Sequence, residues 1–245
     1  MAGMIDTGDG RDANGEPRWR LDLLGSWRLS GSGDDVLDVG VNGRRIFALL
    51  ALRRRCDRPY LAGMLWPDCS EAHAHGNLRA SLSRLHRRDL AGPLVCSTDG
   101  VLALRPEVEV DVHGVVAVAR SVLDGDRTTA PREAVRRLAC DDVLLGWYDD
   151  WVLLERERLR QLRLHALEHL SGQLLAAGDV ARAVEAALEA VAVEPLRESA
   201  HAALIRAHLA EGNRAEAARQ FQRLRELLRK ELDEEPSRLV TDLLR

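Results

Sequence analysis

The chain is 245 residues long, 46% hydrophobic and 30% charged, with a formal charge of −4 at neutral pH. That length allows a buried core and predicts two domains, at roughly 100–200 residues each. Lys230 is the sole lysine and follows Arg229 in a glycine-free stretch, which excludes a G-x-x-x-x-G-K-[ST] phosphate loop; no run reaches the roughly 18 apolar residues of a membrane span.

Residues 1–18 are rich in Gly and Asp, with almost no large apolar side chain before Trp19. They cannot offset their ordering entropy by burial and are expected to form a disordered tail. They also lack the basic and apolar regions of a signal peptide, so a cytosolic protein is expected. From Trp19, the alternation of Trp19, Leu21 and Leu23, then Trp27 and Leu29, broken by Gly25 and the Gly-Ser cluster at 31–33, predicts short strands. "VLDVGVNG" continues in that mode.

At Gly43 the period changes. Ile46, Leu49, Leu50 and Arg53 recur at helical spacing up to Asp57-Arg58-Pro59. Tyr60 to Trp66 predicts a second, shorter helix ended by Pro67. A third is expected to start near Ser70, an N-cap candidate with Glu71 in the first turn. "LVCSTDGVLAL" then places Asp99-Gly100 between two apolar runs, a strong hairpin signal. Strands, three helices and a hairpin predict an α+β winged helix-turn-helix domain over 19–106, with the third helix in the major groove of DNA.

After Pro106 the chain reads as helical. Ala177-Gly178-Asp179 and Glu211-Gly212-Asn213 are turn signals 34 residues apart between amphipathic runs, with Gly125-Asp126 as an earlier turn out of phase. That interval is the tetratricopeptide period, in which helical pairs stack because one pair cannot cover its own apolar face. An all-α tetratricopeptide-like helical repeat domain is expected over 107–245. Charge divides with the architecture, because 19–106 has 13 Arg against 9 acidic residues (+4) and 107–245 has 20 basic against 26 acidic (−6). The basic half is the one suited to a polyanion.

The stretch "NLRASLSRLHRR", 77–88, carries four arginines beside three leucines. At about 100° per residue, Ala74, Leu78, Leu82 and Leu85 share one inward stripe. The opposite face carries Gly76, Ala80, Ser83 and Arg87, flanked by Arg84 and His73 on one side and Arg79 on the other. Small residues at the centre let the axis approach base edges closely, while guanidinium forks at the margins reach guanine acceptors or phosphates. No acidic residue lies between Ala72 and Arg88, whereas a plainly solvated helix mixes signs to gain i,i+4 pairs.

"LAGMLWPDCSEAHAHGNLRASLSRLHRR" resembles the OmpR-type winged-helix domain of the SARP (Streptomyces antibiotic regulatory protein) and AfsR group of transcriptional activators. "WYDDWVLLERERLRQLRLHALEHL" and "EPLRESAHAALIRAHLAEGNRAEAARQFQRLRELLRKEL" resemble that group's bacterial transcriptional activation domain. The resemblance covers about residues 19 to 245. It implies a promoter-binding activator of secondary-metabolite or pathway genes that docks as two protomers on direct repeats of double-stranded DNA. It also implies recruitment of RNA polymerase holoenzyme through sigma factor and core subunits, with no cofactor. Carried over by position, Asn77, Arg79, Ser83, Arg84 and Arg87 would read the major groove, and Arg45 would sit near phosphates. Large members add a nucleotide-binding module, so a chain ending at Arg245 is expected to be a small, single-module member.

There are departures from that group. His73, His75 and His86 stand where related sequences commonly have arginine, which predicts weaker and more pH-sensitive binding. The hairpin reads Val101-Leu102-Ala103, without the usual aromatic-basic pair, and Arg105 is the nearest substitute for a wing contact. These features favour a rival reading, a helical-repeat interaction scaffold with a degenerate winged helix.

No catalytic or metal site is expected. His73 and His75, at i,i+2, point apart on a helix; His165 and His169, at i,i+4, could converge but lie among leucines with no nearby cysteine. Cys56, Cys69, Cys96 and Cys140 are spread singly, as reduced thiols are. In "WYDDW", Asp149 and Asp150 read as helix-start residues, with Trp147 and Trp151 as core anchors.

Overall fold

A computed structural model describes residues 19–31, 36–87, 94–126 and 129–245; the tail expected at 1–18 lies outside the described residues. These fall into two compact units, one reaching Val112 and including Asp142–Glu155, the other formed by His113–Asp141 and Arg156–Arg245.

The first unit runs β1 (Trp19–Asp22), β2 (Arg28–Gly31), α1 (Gly40–Arg53), β3 (Arg55–Asp57), α2 (Arg58–Leu65), α3 (Glu71–Arg87), β4 (Val95–Thr98), β5 (Val101–Leu104) and β6 (Val108–Val110). One sheet has the order β2-β1-β6. Its centre is β1, which pairs antiparallel with β2, setting Leu21 opposite Leu29, and parallel with β6, setting Leu21 opposite Val110. The other has the order β3-β5-β4.

The β4–β5 turn is the expected one, with Asp99 and Gly100 both left-handed (φ 51° and 82°), as a two-residue hairpin with the twist of its strands requires. Two strands were not expected. β3 forms because Arg54 takes φ 65°, stopping α1 at a residue whose type does not announce a turn, and Cys56 then pairs with Leu102. β6 lies where the sequence reads as helical; three residues are too few to show a period, and pairing with β1 decides the matter. α1 starts at Gly40, three residues before the expected Gly43.

The sheet end is fixed by Asp111, whose carboxylate accepts from the backbone N–H groups of Leu23 (2.9 Å), Leu24 (2.9 Å) and Val112 (2.6 Å). Residues 142–155 extend the same edge. Gly25 N–H donates to the Asp142 carbonyl (2.8 Å), and Leu144 N–H to that of Leu23 (2.8 Å). Trp151 is buried, as an anchor should be, while Trp147 is half-buried.

The remaining helices are α4 (Asp111–Leu123), α5 (Pro131–Leu138), α6 (Asp150–Ala176), α7 (Val180–Val193), α8 (Glu198–Ala210), α9 (Arg214–Leu232) and α10 (Arg238–Thr241), followed by a 3₁₀ turn at Asp242–Leu244. Gly178 and Gly212 supply the left-handed turns (φ 77° and 81°) between α6 and α7 and between α8 and α9. Small residues let α7 approach α8, with Ala187 packed on Ala203 and Leu204. Ile205, Leu224, Leu228 and Val240 form the next layer, shared by α8, α9 and α10.

Several buried polar groups in this unit find partners. Ser171 Oγ donates to the Ala183 carbonyl (2.9 Å), joining α6 to α7. Arg163, 3% exposed, donates to the carbonyls of Leu138 (3.0 Å) and Cys140, which α5 leaves without helical partners.

His201 is fully buried in α8, its Nε2–H donating to the Pro195 carbonyl (2.9 Å) and its Nδ1 accepting from the Gln220 amide (2.8 Å). Burial pushes its pKa below the ordinary 6.5, outweighing the Pro195 bond that favours the charged ring. The unfolded chain therefore takes up this proton first, so stability is full above about pH 6.5 and falls as pH drops through the folded value. The unfolding midpoint is expected to decline as pH falls below about 6.5, and that decline should be smaller in His201→Gln. Equal slopes in both chains would exclude His201 as its source.

Candidate nucleic-acid interface

α3 is held from behind. Ala74, Leu78 and Leu82 are buried as the helical period predicts, and α3 packs on α1 and α2. Ser81 is also buried, which the leucine stripe does not indicate, and its Oγ accepts from Arg84 Nη2 (3.0 Å). The first turn of α1, Gly40 to Gly43, lies beside Ser81, Arg84 and Leu85. A Cβ on Gly43 would stand 3.1 Å from Leu85 Cδ2 and 3.0 Å from Val39 Cβ, so the absence of a side chain there sets how closely α1 meets the last turn of α3.

The other face of α3 is open. Gly76, Asn77, Arg79, Ala80, Arg84 and Arg87 are exposed and Ser83 is half-buried. Between this face and the β4–β5 hairpin runs an open cleft of about 670 Å³, lined by Arg58, Arg79, Ser83, His86, Arg87 and Arg105 among others. The described residues of its wall include four guanidinium groups and no carboxylate. His86 Nδ1–H donates to the Leu82 carbonyl (2.7 Å), since a carbonyl can only accept, and this leaves Nε2 as the outer ring nitrogen.

The structure thus brings Arg79, Ser83, Arg87 and Arg105 together. Asn77 is exposed one turn before Ala80, and Arg84 stands on the opposite flank of α3, beside the start of α1. Arg45 is elsewhere engaged: its guanidinium donates to Asp149, and the two side chains are 20% and 26% exposed. Arg44, its neighbour, stacks over the Trp27 ring at 5.2 Å. Sequence reasoning missed Arg58, which opens α2 and lies within hydrogen-bonding reach of Ser97 Oγ (3.5 Å). In the sequence Arg58 stands in the Asp57-Arg58-Pro59 boundary after the first helix, and its place in the cleft follows from the pairing of β3 with β5.

A cation-edged helix beside a short hairpin, in one chain with stacked helix pairs, defines a regulator-like class of mainly helical protein with small sheets. The family model of the bacterial transcriptional activator domain matches residues 110–245, more than half of the chain, and the chain belongs to that family. The family is one of transcription regulators and not of enzymes. Regulatory protein AfsR of Streptomyces coelicolor is 30% identical over 230 residues, covering 89% of this chain and 23% of that protein. The chain therefore spans about a quarter of that relative's length. The Mycobacterium tuberculosis EmbR structure in complex with a low-affinity phosphopeptide superposes with a TM-score of 0.69 over 94% of this chain and 64% of that one, at 18% identity, which shows a shared fold. The resemblance to the SARP and AfsR group read in the sequence is borne out by these matches. Among the described residues no helix is long and apolar enough to cross a membrane.

Proposed function

We propose that the chain is a sequence-specific, DNA-binding transcriptional activator whose residues 19–106 form a winged helix-turn-helix domain and whose residues 107–245 form a tetratricopeptide-like activation domain. The observation that carries this reading is the cleft between α3 and the hairpin, with four guanidinium groups and no carboxylate among its described lining residues. A duplex backbone supplies the missing negative charge. Asn77, Arg79, Ser83 and Arg87 face the base edges, whereas Arg84, Arg105, Arg58 and Arg45 contact phosphates, Arg45 through the hydrogens that Asp149 leaves free. The acidic second half contacts RNA polymerase and, on repeated sites, a second protomer.

The test compares the full chain on a promoter fragment recovered by genome-wide mapping of bound DNA and on a scrambled fragment, each at two salt concentrations. Tighter, steeply salt-dependent binding to the promoter fragment is expected; equal binding to both would favour the scaffold reading. Arg58→Ala should lower the salt slope by about one while leaving the preferred sequence unchanged, as loss of a single phosphate contact does. An unaltered slope would remove Arg58 from the interface.

A further inference from the structure

In the second unit, α6 carries His165 and His169 one turn apart, and the leucines beside them in the chain turn the other way. Leu164, Leu167 and Leu170 are between 0% and 4% exposed, whereas both histidines lie on the surface. Residues at i and i+4 stack on one face of a helix with Cβ atoms about 5–6 Å apart, so the two rings leave the same side of α6. That spacing lets two imidazoles close on one ion, as it does in H-E-x-x-H helices. Core packing accounts for neither ring, and among the described residues neither has a hydrogen-bond or ion-pair partner.

The rest of this face of α6 suits a cation held by nitrogen. One turn before and one turn after the pair stand Gln161, Leu162, Gly172 and Gln173, none of them charged. Glu168, the carboxylate nearest in the chain, is taken up at the start of α8, where it accepts from Arg197 (2.6 Å) and Ser199 (2.8 Å). Two imidazoles with no free carboxylate in their turn match a borderline divalent ion and not Mg²⁺ or Ca²⁺, which seek oxygen ligands. The helix also holds the second ring close to an ion already on the first, which makes the pair bind far more tightly than either ring alone.

We propose that His165 and His169 form a surface binding site for a borderline divalent metal ion of the Zn²⁺ class, its remaining positions taken by water. The site lies wholly within the second unit and does not depend on the DNA-binding reading, so either can fail without the other. The test titrates Zn²⁺ and, separately, Mg²⁺ into the full chain and into the double variant His165→Ala/His169→Ala, by calorimetry and by the unfolding midpoint. The wild type is expected to bind one more equivalent of Zn²⁺ than the double variant, with no such difference for Mg²⁺. Zn²⁺ should also raise its midpoint further, because an ion held only by the folded helix stabilises it by mass action. Either single variant should bind that equivalent about tenfold more weakly, with the helical spectrum unchanged. Gly172→His should bind it about tenfold more tightly, since a third imidazole joins the same face. Position 172 is exposed, and an added Cβ there meets nothing within 4 Å. Equal Zn²⁺ uptake by wild type and double variant, a Mg²⁺ equivalent lost with the two histidines, or wild-type affinity in Gly172→His would overturn the proposal.

Discussion

Arg87→Ala should weaken binding to a target promoter duplex by about 1–3 kcal/mol, roughly 5- to 150-fold, and relax sequence preference at one base position. The side chain is exposed on the last turn of α3 and lines the cleft, so its removal leaves no buried partner stranded. The loss should therefore appear in affinity and not in the unfolding midpoint. Arg79→Ala, two turns earlier on the same cleft wall, should act alike at a different base position. Arg84→Ala should cost less, because its guanidinium already donates to Ser81 and stands on the other flank. Titrating the wild type and three variants against single-base variants of the site at fixed salt separates these outcomes. Wild-type affinity in both Arg79→Ala and Arg87→Ala would remove the cleft from the DNA interface.

Asp111→Ala is expected to destabilise the first unit by about 2–4 kcal/mol, since it strips the acceptor from three backbone N–H groups and each orphaned donor costs on the order of 1–3 kcal/mol when desolvated. An opposing effect reduces the total. Burial raises the Asp111 pKa despite those three bonds, so the ionised carboxylate is itself costly to bury, and alanine relieves that cost. The orphaned donors outweigh it because Leu23 is fully buried and water cannot easily replace the lost acceptor. Asp111→Asn, which keeps one acceptor oxygen and sheds the charge, should fall between the two. Urea unfolding of all three chains gives the order; a wild-type midpoint in Asp111→Ala would show that the carboxylate does not hold the sheet end.

Much of this molecule is legible along the chain because the relevant forces are local. The third helix declares itself through leucine spacing and segregated charge, and Ala74, Leu78 and Leu82 are buried accordingly. Asp99-Gly100 marks a hairpin since few other pairs accept two left-handed residues in succession. Gly178 and Gly212 mark helix turns for the same steric reason.

Other features belong to tertiary pairing. β6 is a strand because β1 lies beside it, and β3 because β5 does. "WYDDW" reads as a helix start, and α6 does begin at Asp150, yet Asp149 also binds Arg45, 104 residues earlier in the chain. Arg58 joins the cleft through the same long-range pairing that makes β3. By itself the sequence determined which segments are amphipathic, where the chain turns and which helix carries a one-signed face, since side-chain type and spacing along one element suffice for these. Only the tertiary structure decided which cations share a cleft and which meet a carboxylate from elsewhere in the chain. Such partners are chosen by strand pairing and packing between residues far apart in the chain, and no local period records them.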